Sequence, residues 1–235
     1  MGKKAAINQG TILMDIFNRL YGFFGPQNWW PGETPFEIAV GAVLTQNTNW
    51  GNVEKAIKNL KRNGKLSAKA LHEMPQEELA SLIKPAGYFN IKAKRLKHFL
   101  SFLAVNYKGS MKRLGKEDLH ALRKSLLDVN GIGPETADSI LLYALGKPVF
   151  VIDAYTKRVL QRHGLVPEQA TYHDMQSLFH ENLPPDVDLF NEYHALFVVL
   201  GKHYCRPKPQ CGGCPLNGYN LMLDKQAEES AGKPL

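Results

Sequence analysis

Apolar residues recur at helical spacing along most of the chain, whereas a strand-like pattern is confined to one short segment. Residues 53–60 place their apolar side chains at i, i+3, i+4 and i+7, and Gly64 ends that pattern. Residues 34–37 combine a capping threonine, a proline at the first helical position and a glutamate three residues after the cap. Only residues 149–152 read as extended. The sequence therefore predicts an all-α protein.

The composition is that of a globular protein rather than of a disordered, collagen-like or coiled-coil chain. Of the 235 residues, 44% are hydrophobic and 22% are charged. The longest apolar runs, such as residues 39–44 and 140–145, fall far short of the roughly 20 residues that span a bilayer, so we expect no transmembrane helix. The first residues contain no apolar core of a secretory signal, which predicts a cytoplasmic protein.

Charge and cysteine content narrow the class of partner. The chain has 29 Lys and Arg against 22 Asp and Glu, and the net charge of +7 favours a polyanion such as nucleic acid. Its 3 cysteines are Cys205, Cys211 and Cys214. An odd number argues against a disulfide framework, which leaves a metal site or bystander thiols.

The most informative segment is residues 126–137, with the sequence Leu-Leu-Asp-Val-Asn-Gly-Ile-Gly-Pro-Glu-Thr-Ala. Gly131 and Gly133 flank one apolar residue and allow a turn too tight for side chains. The helix that follows begins with outward N–H groups and a positive dipole end, which suits a phosphate. A tight helix–helix turn without a ligand is the alternative. Apolar positions on both sides of the turn favour the phosphate-binding hairpin.

With its downstream sequence, this segment resembles the endonuclease III superfamily of helix-hairpin-helix DNA glycosylases. In that superfamily a Gly/Pro-rich connection and an aspartate follow the hairpin, and this chain has Gly146-Lys147-Pro148 and then Val151-Ile152-Asp153. The similarity extends from about Pro35 to Cys214. It implies an all-α, two-lobed helix-hairpin-helix glycosylase fold. The lobes would be a six-helix barrel at residues 35–145, with the hairpin at 126–145, and a second helical lobe from residues 1–34 and 146–235.

By this resemblance Asp153 is the catalytic carboxylate. Cleavage of an N-glycosidic bond builds positive charge on the sugar, which a carboxylate in a low-dielectric pocket stabilises. Such a carboxylate can also orient or deprotonate water. An aspartate at this position is equally suited to cap the helix that follows, and the two roles are compatible.

The residue after the hairpin proline distinguishes two reaction types. Superfamily members with lyase activity carry a lysine two residues after the last hairpin glycine, where its amine forms a Schiff base with the sugar. Glu135 occupies that place here. The resemblance therefore implies a monofunctional glycosylase that leaves an abasic site. Lys157 or Lys202 could substitute, although neither stands where the family supplies the amine.

Three tryptophans are candidates for the base pocket. Trp29, Trp30 and Trp50 resemble aromatic residues that line the pocket in the 3-methyladenine branch of the family. An extruded base is held between flat side chains. A cationic alkylated base over an indole would gain roughly 0.5 to 2 kcal/mol. Ordinary core packing is the alternative for all three.

The same resemblance assigns DNA contacts outside the base pocket. Gln46 matches the glutamine that fills the gap left by the flipped nucleotide, with a helix-end hydrogen bond as the alternative. Residues 87–95 resemble the family's G-Y-x-x-x-K-A segment, whose basic residues could meet phosphates or form a solvated helix face. The predicted contacts in the hairpin and this segment are Gly131, Ile132, Gly133, Thr136, Lys92 and Lys94, with Arg95 and Lys97 as further basic residues.

The cysteine spacing departs from the family pattern. Many relatives bind a 4Fe-4S cluster through C-x6-C-x2-C-x5-C. Here the first spacing, from Cys205 to Cys211, is one residue short, and Asn220 takes the place of the fourth ligand. A cluster held by three thiolates and a metal-free loop both stay open. The glycosidic chemistry itself requires no cofactor.

The sequence as a whole predicts a monomeric, monofunctional DNA glycosylase of base excision repair. Its expected substrate is double-stranded DNA with alkylated purines such as 3-methyladenine, and no membrane partner is expected. One rival is a glycosylase/lyase for oxidised pyrimidines, as in endonuclease III. Another is a helix-hairpin-helix protein that only binds DNA. A third makes the cysteine segment a redox or metal-sensing element.

Overall fold

The computed structural model describes residues 8–219, and every regular element within that range is helical. The predicted all-α class is thereby confirmed. The segment from residue 146 to residue 153, which includes the extended-looking stretch, forms neither helix nor strand. The α-helices of the described range are α1 (Gln9–Phe24), α2 (Pro35–Leu44), α3 (Trp50–Arg62), α4 (Ala68–Glu73), α5 (Gln76–Leu82), α6 (Phe89–Tyr107), α7 (Met111–Leu114), α8 (Leu119–Leu127), α9 (Pro134–Ser139), α10 (Ala154–Arg162), α11 (Tyr172–Asn182) and α12 (Val187–His203).

Three short helical segments complete the regular structure. A π-helical turn, Ile140–Ala144, directly continues α9, and 3₁₀ turns form at Lys84–Ala86 and Cys211–Gly213. The mostly polar residues 225–235 lie outside the described residues. None of the described helices is both long enough and apolar enough to cross a membrane.

The chain forms two compact units. The central unit is Trp30–Val149, and the terminal unit consists of the described parts of Met1–Trp29 and Phe150–Leu235. The terminal unit is therefore built from two separate stretches of sequence. The predicted division into lobes at residues 34/35 and 145/146 stays a prediction.

The central unit is built around α2. The Thr34 hydroxyl accepts a hydrogen bond from the Glu37 N–H, and Pro35 fills the first turn, as the sequence predicted. Every residue from Ala39 to Leu44 is buried, because α2 packs against α3, α6, α9 and the π-helical turn. A helix that is apolar all round is the expected centre of such a unit.

The terminal unit has an aromatic core. Phe150 stacks on Phe179 of α11 with ring centroids 3.6 Å apart, and Tyr193 of α12 meets the Phe150 ring edge-on. The Tyr193 hydroxyl donates to the Leu13 carbonyl of α1 at 2.7 Å. A Cβ on Gly201 of α12 would lie 2.4 Å from the ring of Tyr155, so α10 and α12 approach closely at a glycine.

Candidate functional site

The predicted hairpin forms between α8 and α9 in the central unit. Gly131 adopts a φ of +92°, a left-handed backbone that strains any residue with a side chain. The Ile132 N–H donates to the Val129 carbonyl at 3.0 Å, and the Ile132 side chain is buried. Gly133 is exposed and extended at the start of α9. The hairpin prediction is confirmed, and its Ile132 side chain faces inward while Gly133 is open to solvent.

An ion pair fixes the two hairpin helices to each other. Arg123 of α8 donates to both oxygens of the Asp138 carboxylate of α9, at 2.7 and 3.0 Å. Asp138 is fully buried, so this paired geometry satisfies a charge that would otherwise be costly. The pair holds the turn between the helices in one conformation.

Gln46 is hydrogen-bonded to the hairpin. Its Nε2 donates to the Gly131 carbonyl at 3.0 Å and to the Thr136 hydroxyl at 2.9 Å. Its Oε1 accepts from Arg95 of α6 at 2.6 Å. Thr136 is buried, and in this structure its hydroxyl binds Gln46 rather than solvent, so its predicted DNA contact stays a prediction. The DNA role of Gln46 stays a prediction.

One predicted phosphate contact is wrong. Lys92 is only 1% exposed, and its Nζ donates to the carbonyls of Leu44 and Ala86 at 2.8 and 2.7 Å. Burial, with a smaller effect from the Arg95 charge, lowers the pKa of Lys92 to about 8. Lys94 is exposed, so its predicted phosphate contact stays open.

Lys97 is also used within the protein. Its Nζ donates to the carbonyls of Leu71, His72 and Met74, where α4 ends, and burial lowers its pKa. In this basic segment, Lys92 and Lys97 bind backbone carbonyls within the protein, whereas Lys94 faces solvent. The sequence does not reveal this difference.

Two of the predicted pocket tryptophans lie together in the central unit. The Trp30 and Trp50 rings meet edge to face with centroids 5.1 Å apart, and the Tyr143 ring lies 4.9 Å from Trp30. A Cβ on Gly41 would lie 3.3 Å from the Trp50 ring, so the missing side chain leaves room for the indoles. Tyr143 was not predicted, because nothing in the local pattern of residues 140–145 links it to a tryptophan.

Trp29 belongs to the terminal unit and has a different neighbour. The Lys202 ammonium lies 5.6 Å from the centre of its ring. All three tryptophans are half-buried. The structure thus places Trp30 and Trp50 in one group and Trp29 beside a cation.

Asp153 caps α10, as its alternative interpretation predicted. Its Oδ1 accepts from the Thr156 N–H at 2.7 Å, and its side chain is 13% exposed. Its Oδ2 lies 3.7 Å from Nε2 of His194 on α12. Burial lowers the pKa of His194, and the neighbouring carboxylate opposes this effect. The Asp153 carboxylate therefore lies in a largely desolvated setting. Burial favours the neutral form of the neighbouring His194 imidazole.

His194 was not expected at this site, because no sequence spacing connects it with Asp153. Glu135, in the place of the lyase lysine, is exposed in the first turn of α9. Of the alternative amines, Lys157 is exposed on α10 and Lys202 lies over Trp29.

The cysteine segment is held by arginines of α10. Arg158 donates to the Cys205 carbonyl at 2.6 Å, and Arg162 donates to the carbonyls of Arg206 and Pro207 at 2.6 and 2.9 Å. Arg162 also lies 3.4 Å from the Cys205 sulfur. These hydrogen bonds tie residues 205–207 to α10.

The three thiols differ in their exposure, and whether they hold an iron–sulfur cluster stays a prediction. Cys205 is buried, Cys211 is exposed and Cys214 is intermediate. Burial raises the pKa of the Cys214 thiol. In residues 8–219, no group of three Cys, His, Asp or Glu side chains could hold a metal ion. Asn220, in the fourth ligand place, lies outside the described residues.

The helical fold, the hairpin and a desolvated aspartate after it define the class of base excision DNA glycosylases. The family model of the HhH-GPD superfamily base excision DNA repair proteins matches residues 40–185. The chain belongs to this superfamily.

Relatives of known sequence agree with that assignment. A Methanocaldococcus jannaschii protein, named as a candidate DNA repair glycosylase, is 46% identical over 216 residues, which are 91% of this chain and 98% of that protein. Endonuclease III of Thermotoga maritima is 28% identical over 186 residues, 79% of this chain and 82% of that enzyme.

Solved structures share the fold. The 3-methyladenine DNA glycosylase of H. pylori, bound to 1,N6-ethenoadenine, superposes with a TM-score of 0.72 at 29% identity and covers 83% of this chain and 98% of that one. An endonuclease III–DNA covalent intermediate gives a TM-score of 0.78 at 22% identity, over 93% of this chain and 98% of that chain.

Proposed function

We propose that this DNA glycosylase is monofunctional and excises cationic alkylated purines such as 3-methyladenine from double-stranded DNA. The observation that carries the proposal is the Asp153 carboxylate, 13% exposed and held by the Thr156 N–H at the start of α10. The likeness to a 3-methyladenine DNA glycosylase at 29% identity supports the substrate class. A cytoplasmic location and a monomeric state remain predictions.

Asp153 would act on the sugar. As the glycosidic bond lengthens, positive charge grows on the deoxyribose, and a fixed carboxylate in a desolvated site stabilises that charge strongly. The same carboxylate can orient the water that attacks the sugar. Burial lowers the pKa of His194, which favours a neutral imidazole beside the carboxylate.

Trp30 and Trp50 would hold the extruded base. Indole faces attract cations, and an N3-alkylated adenine carries its positive charge on the ring that stacks. That charge also makes the base a good leaving group, so stacking and one carboxylate suffice. We assign a lesser stacking role to Trp29, because the Lys202 ammonium over its ring repels a cationic base.

The hairpin and its neighbours would bind the DNA backbone. Gly133 is exposed and presents no side chain, and the helix that follows would offer its positive end to phosphate. Gln46 lies against the hairpin and would exchange its internal hydrogen bonds for contacts with the bases around the flipped nucleotide. Tyr88, 69% exposed at the start of α6, suits insertion into a disrupted base stack.

Base release from methylated DNA tests the proposal. Wild-type protein should release 3-methyladenine, and Asp153→Asn should slow single-turnover release by roughly 100-fold or more, because the charge on the developing cation is no longer stabilised. Asparagine preserves the helix cap, so stability should change little. Asp186→Asn is the matched control, since it alters the capping carboxylate of α12 in the same way. No release from methylated duplex, or full activity of Asp153→Asn, would contradict the proposal.

Two additional substrates separate the rival activities. With abasic DNA, borohydride should trap no covalent adduct, because Glu135 cannot form a Schiff base. Trapping would instead indicate a lyase. Release of oxidised pyrimidines alone would favour an endonuclease III-like substrate, and DNA binding without release of any base would favour a non-catalytic protein.

We further propose that the reaction needs no cofactor and that residues 205–214 fold without a cluster. The support is the set of bonds from Arg158 and Arg162, which tie residues 205–207, the start of this segment, to α10. Protein purified without oxygen should contain far less than one iron per chain and show no sulfide-to-iron absorbance. Cys211→Ser should match wild type in thermal stability. Stoichiometric iron that is lost in Cys211→Ser would refute a metal-free loop.

A further inference from the structure

The connection that leads to Asp153 is bound by three side chains of one helix. The Phe150 N–H donates to Nε2 of His180 at 2.9 Å. Gln176 Nε2 donates to the Phe150 carbonyl at 2.7 Å, and the Ile152 N–H donates to the Tyr172 hydroxyl at 3.3 Å. All three side chains come from α11, and we call this set of bonds the α11 ladder.

The three side chains are spaced along α11 as the backbone groups they bind are spaced along residues 150–152. Tyr172, Gln176 and His180 are four residues apart, so they lie along one face of α11. In an extended backbone, the N–H and C=O of one residue and the N–H of the residue two places on face the same edge. The α11 ladder therefore binds one edge of residues 150–152, as a neighbouring strand would.

These bonds matter because the segment is desolvated. Phe150, Val151 and Ile152 are between 0% and 3% exposed, so water is a poor substitute for a lost partner. Gln176 itself is buried, whereas His180 is exposed, so desolvation adds most to the Gln176 bond. Each hydrogen bond of the α11 ladder thus satisfies a different backbone group of the segment.

The segment ends at Asp153. The backbone there is extended, with φ −103° and ψ −179°, and its Oδ1 reaches the Thr156 N–H. The direction in which the chain enters α10 sets where the carboxylate points. We propose that Tyr172, Gln176 and His180 are positioning residues for the Asp153 carboxylate in the reaction proposed above, on which this inference rests.

The protein should still fold when one hydrogen bond of the α11 ladder is removed. The Phe150 ring stays stacked on Phe179, which anchors the segment by packing when a hydrogen bond is removed. Tyr172→Phe and His180→Phe each remove one acceptor while keeping a ring. His180→Gln keeps an acceptor oxygen at similar reach. His173→Phe, at an exposed position of the same helix, is the matched control.

Amide hydrogen exchange tests the ladder without any substrate. His180→Phe should speed exchange at Phe150, and Tyr172→Phe should speed it at Ile152, as local openings become more frequent. Both variants should also speed exchange at Thr156, the amide that binds Asp153, by roughly tenfold. His173→Phe should change none of these amides. Unchanged protection of Thr156 in both ladder variants would overturn the positioning role.

Base release tests the consequence for the reaction. His180→Phe and Tyr172→Phe should slow single-turnover release by roughly 10- to 100-fold, because small displacements of a reacting group carry costs of that size. Affinity for undamaged duplex should stay unchanged, and His180→Gln should recover most of the rate. Equal losses of affinity and rate, or no recovery in His180→Gln, would overturn the inference. If wild-type protein releases no base at all, the proposed function fails, and exchange at Thr156 still decides whether the ladder holds Asp153.

Discussion

The Lys92 ammonium links two backbone segments inside the central unit. Its two acceptors, the carbonyls of Leu44 and Ala86, each lie two residues before a position proposed to meet DNA, Gln46 and Tyr88. Left-handed backbone follows both acceptors, with φ of 52° at Asn47 and 45° at Tyr88. Such conformations cost of order 1 kcal/mol or more and persist where surrounding contacts fix them. Lys92 supplies one of those contacts to each segment.

Replacement of Lys92 should therefore affect stability rather than the phosphate contacts. Lys92→Met leaves two buried carbonyls without their donor, and we expect the free energy of unfolding to fall by about 2 to 4 kcal/mol. Lys94→Met should change it by less than about 0.5 kcal/mol, because that side chain is exposed. Denaturant unfolding measures both values.

The same two variants differ in their expected DNA binding. Lys94→Met should reduce the slope of log affinity against log salt by close to one counterion if Lys94 meets a phosphate. Under conditions in which Lys92→Met is folded, this variant should leave the slope of log affinity against log salt unchanged. A lower slope in Lys92→Met would mean that its ammonium reaches DNA after all.

The roles of single residues were predictable where they depend on near neighbours. Asp153 was expected to cap the next helix, and it does so through an N–H three residues away. Lys92 could not be assigned in this way, because one of its acceptors lies 48 residues distant in sequence. The position of Lys92 within α6 is as consistent with a solvent-facing basic surface as with a buried lysine that binds backbone carbonyls.

At the scale of elements, the hairpin depends on one glycine more than on the other. A Cβ on Gly131 would lie 2.3 Å from Cγ of Arg95, and the φ of +92° is unfavourable for any side chain. A Cβ on Gly133 would meet nothing within 4 Å. The sequence predicted the turn from both glycines but could not rank them, since Arg95 comes from α6.

Alanine substitutions should expose this difference. Gly131→Ala should lower the free energy of unfolding by about 1 to 3 kcal/mol, through backbone strain and displacement of Arg95. It should also weaken DNA binding, because Arg95 and the Gly131 carbonyl both bind Gln46. Thermal unfolding of the two variants side by side measures the stability difference.

Gly133→Ala is the control for stability, and its melting temperature should stay within about 2 °C of wild type. Equal destabilisation by both substitutions would show that crowding at Arg95 is not what constrains the turn.

The fold of the whole molecule followed from the sequence more fully than its site did. Helical periodicity and capping residues are local signals, and they predicted the all-α class and the hairpin helices. The grouping of Trp30 with Trp50 and Tyr143, and of His194 with Asp153, depends on how distant helices pack. No local pattern encodes such pairings. Residues 140–145 read only as an apolar run at the end of the hairpin, with no sign of the π-helical turn or of the contact between Tyr143 and Trp30.

The discontinuous terminal unit has a consequence for biosynthesis. Every residue of the central unit has been translated once residue 149 is added, whereas α1 packs against α11 and α12, which are made later. The bond between Tyr193 and Leu13 joins residues 180 positions apart. During translation, the central unit can therefore begin to fold before α11 and α12, the partners of α1, have been made. Contacts of such long sequence separation close slowly, so we expect assembly of the unit that carries Asp153 to follow that of the central unit.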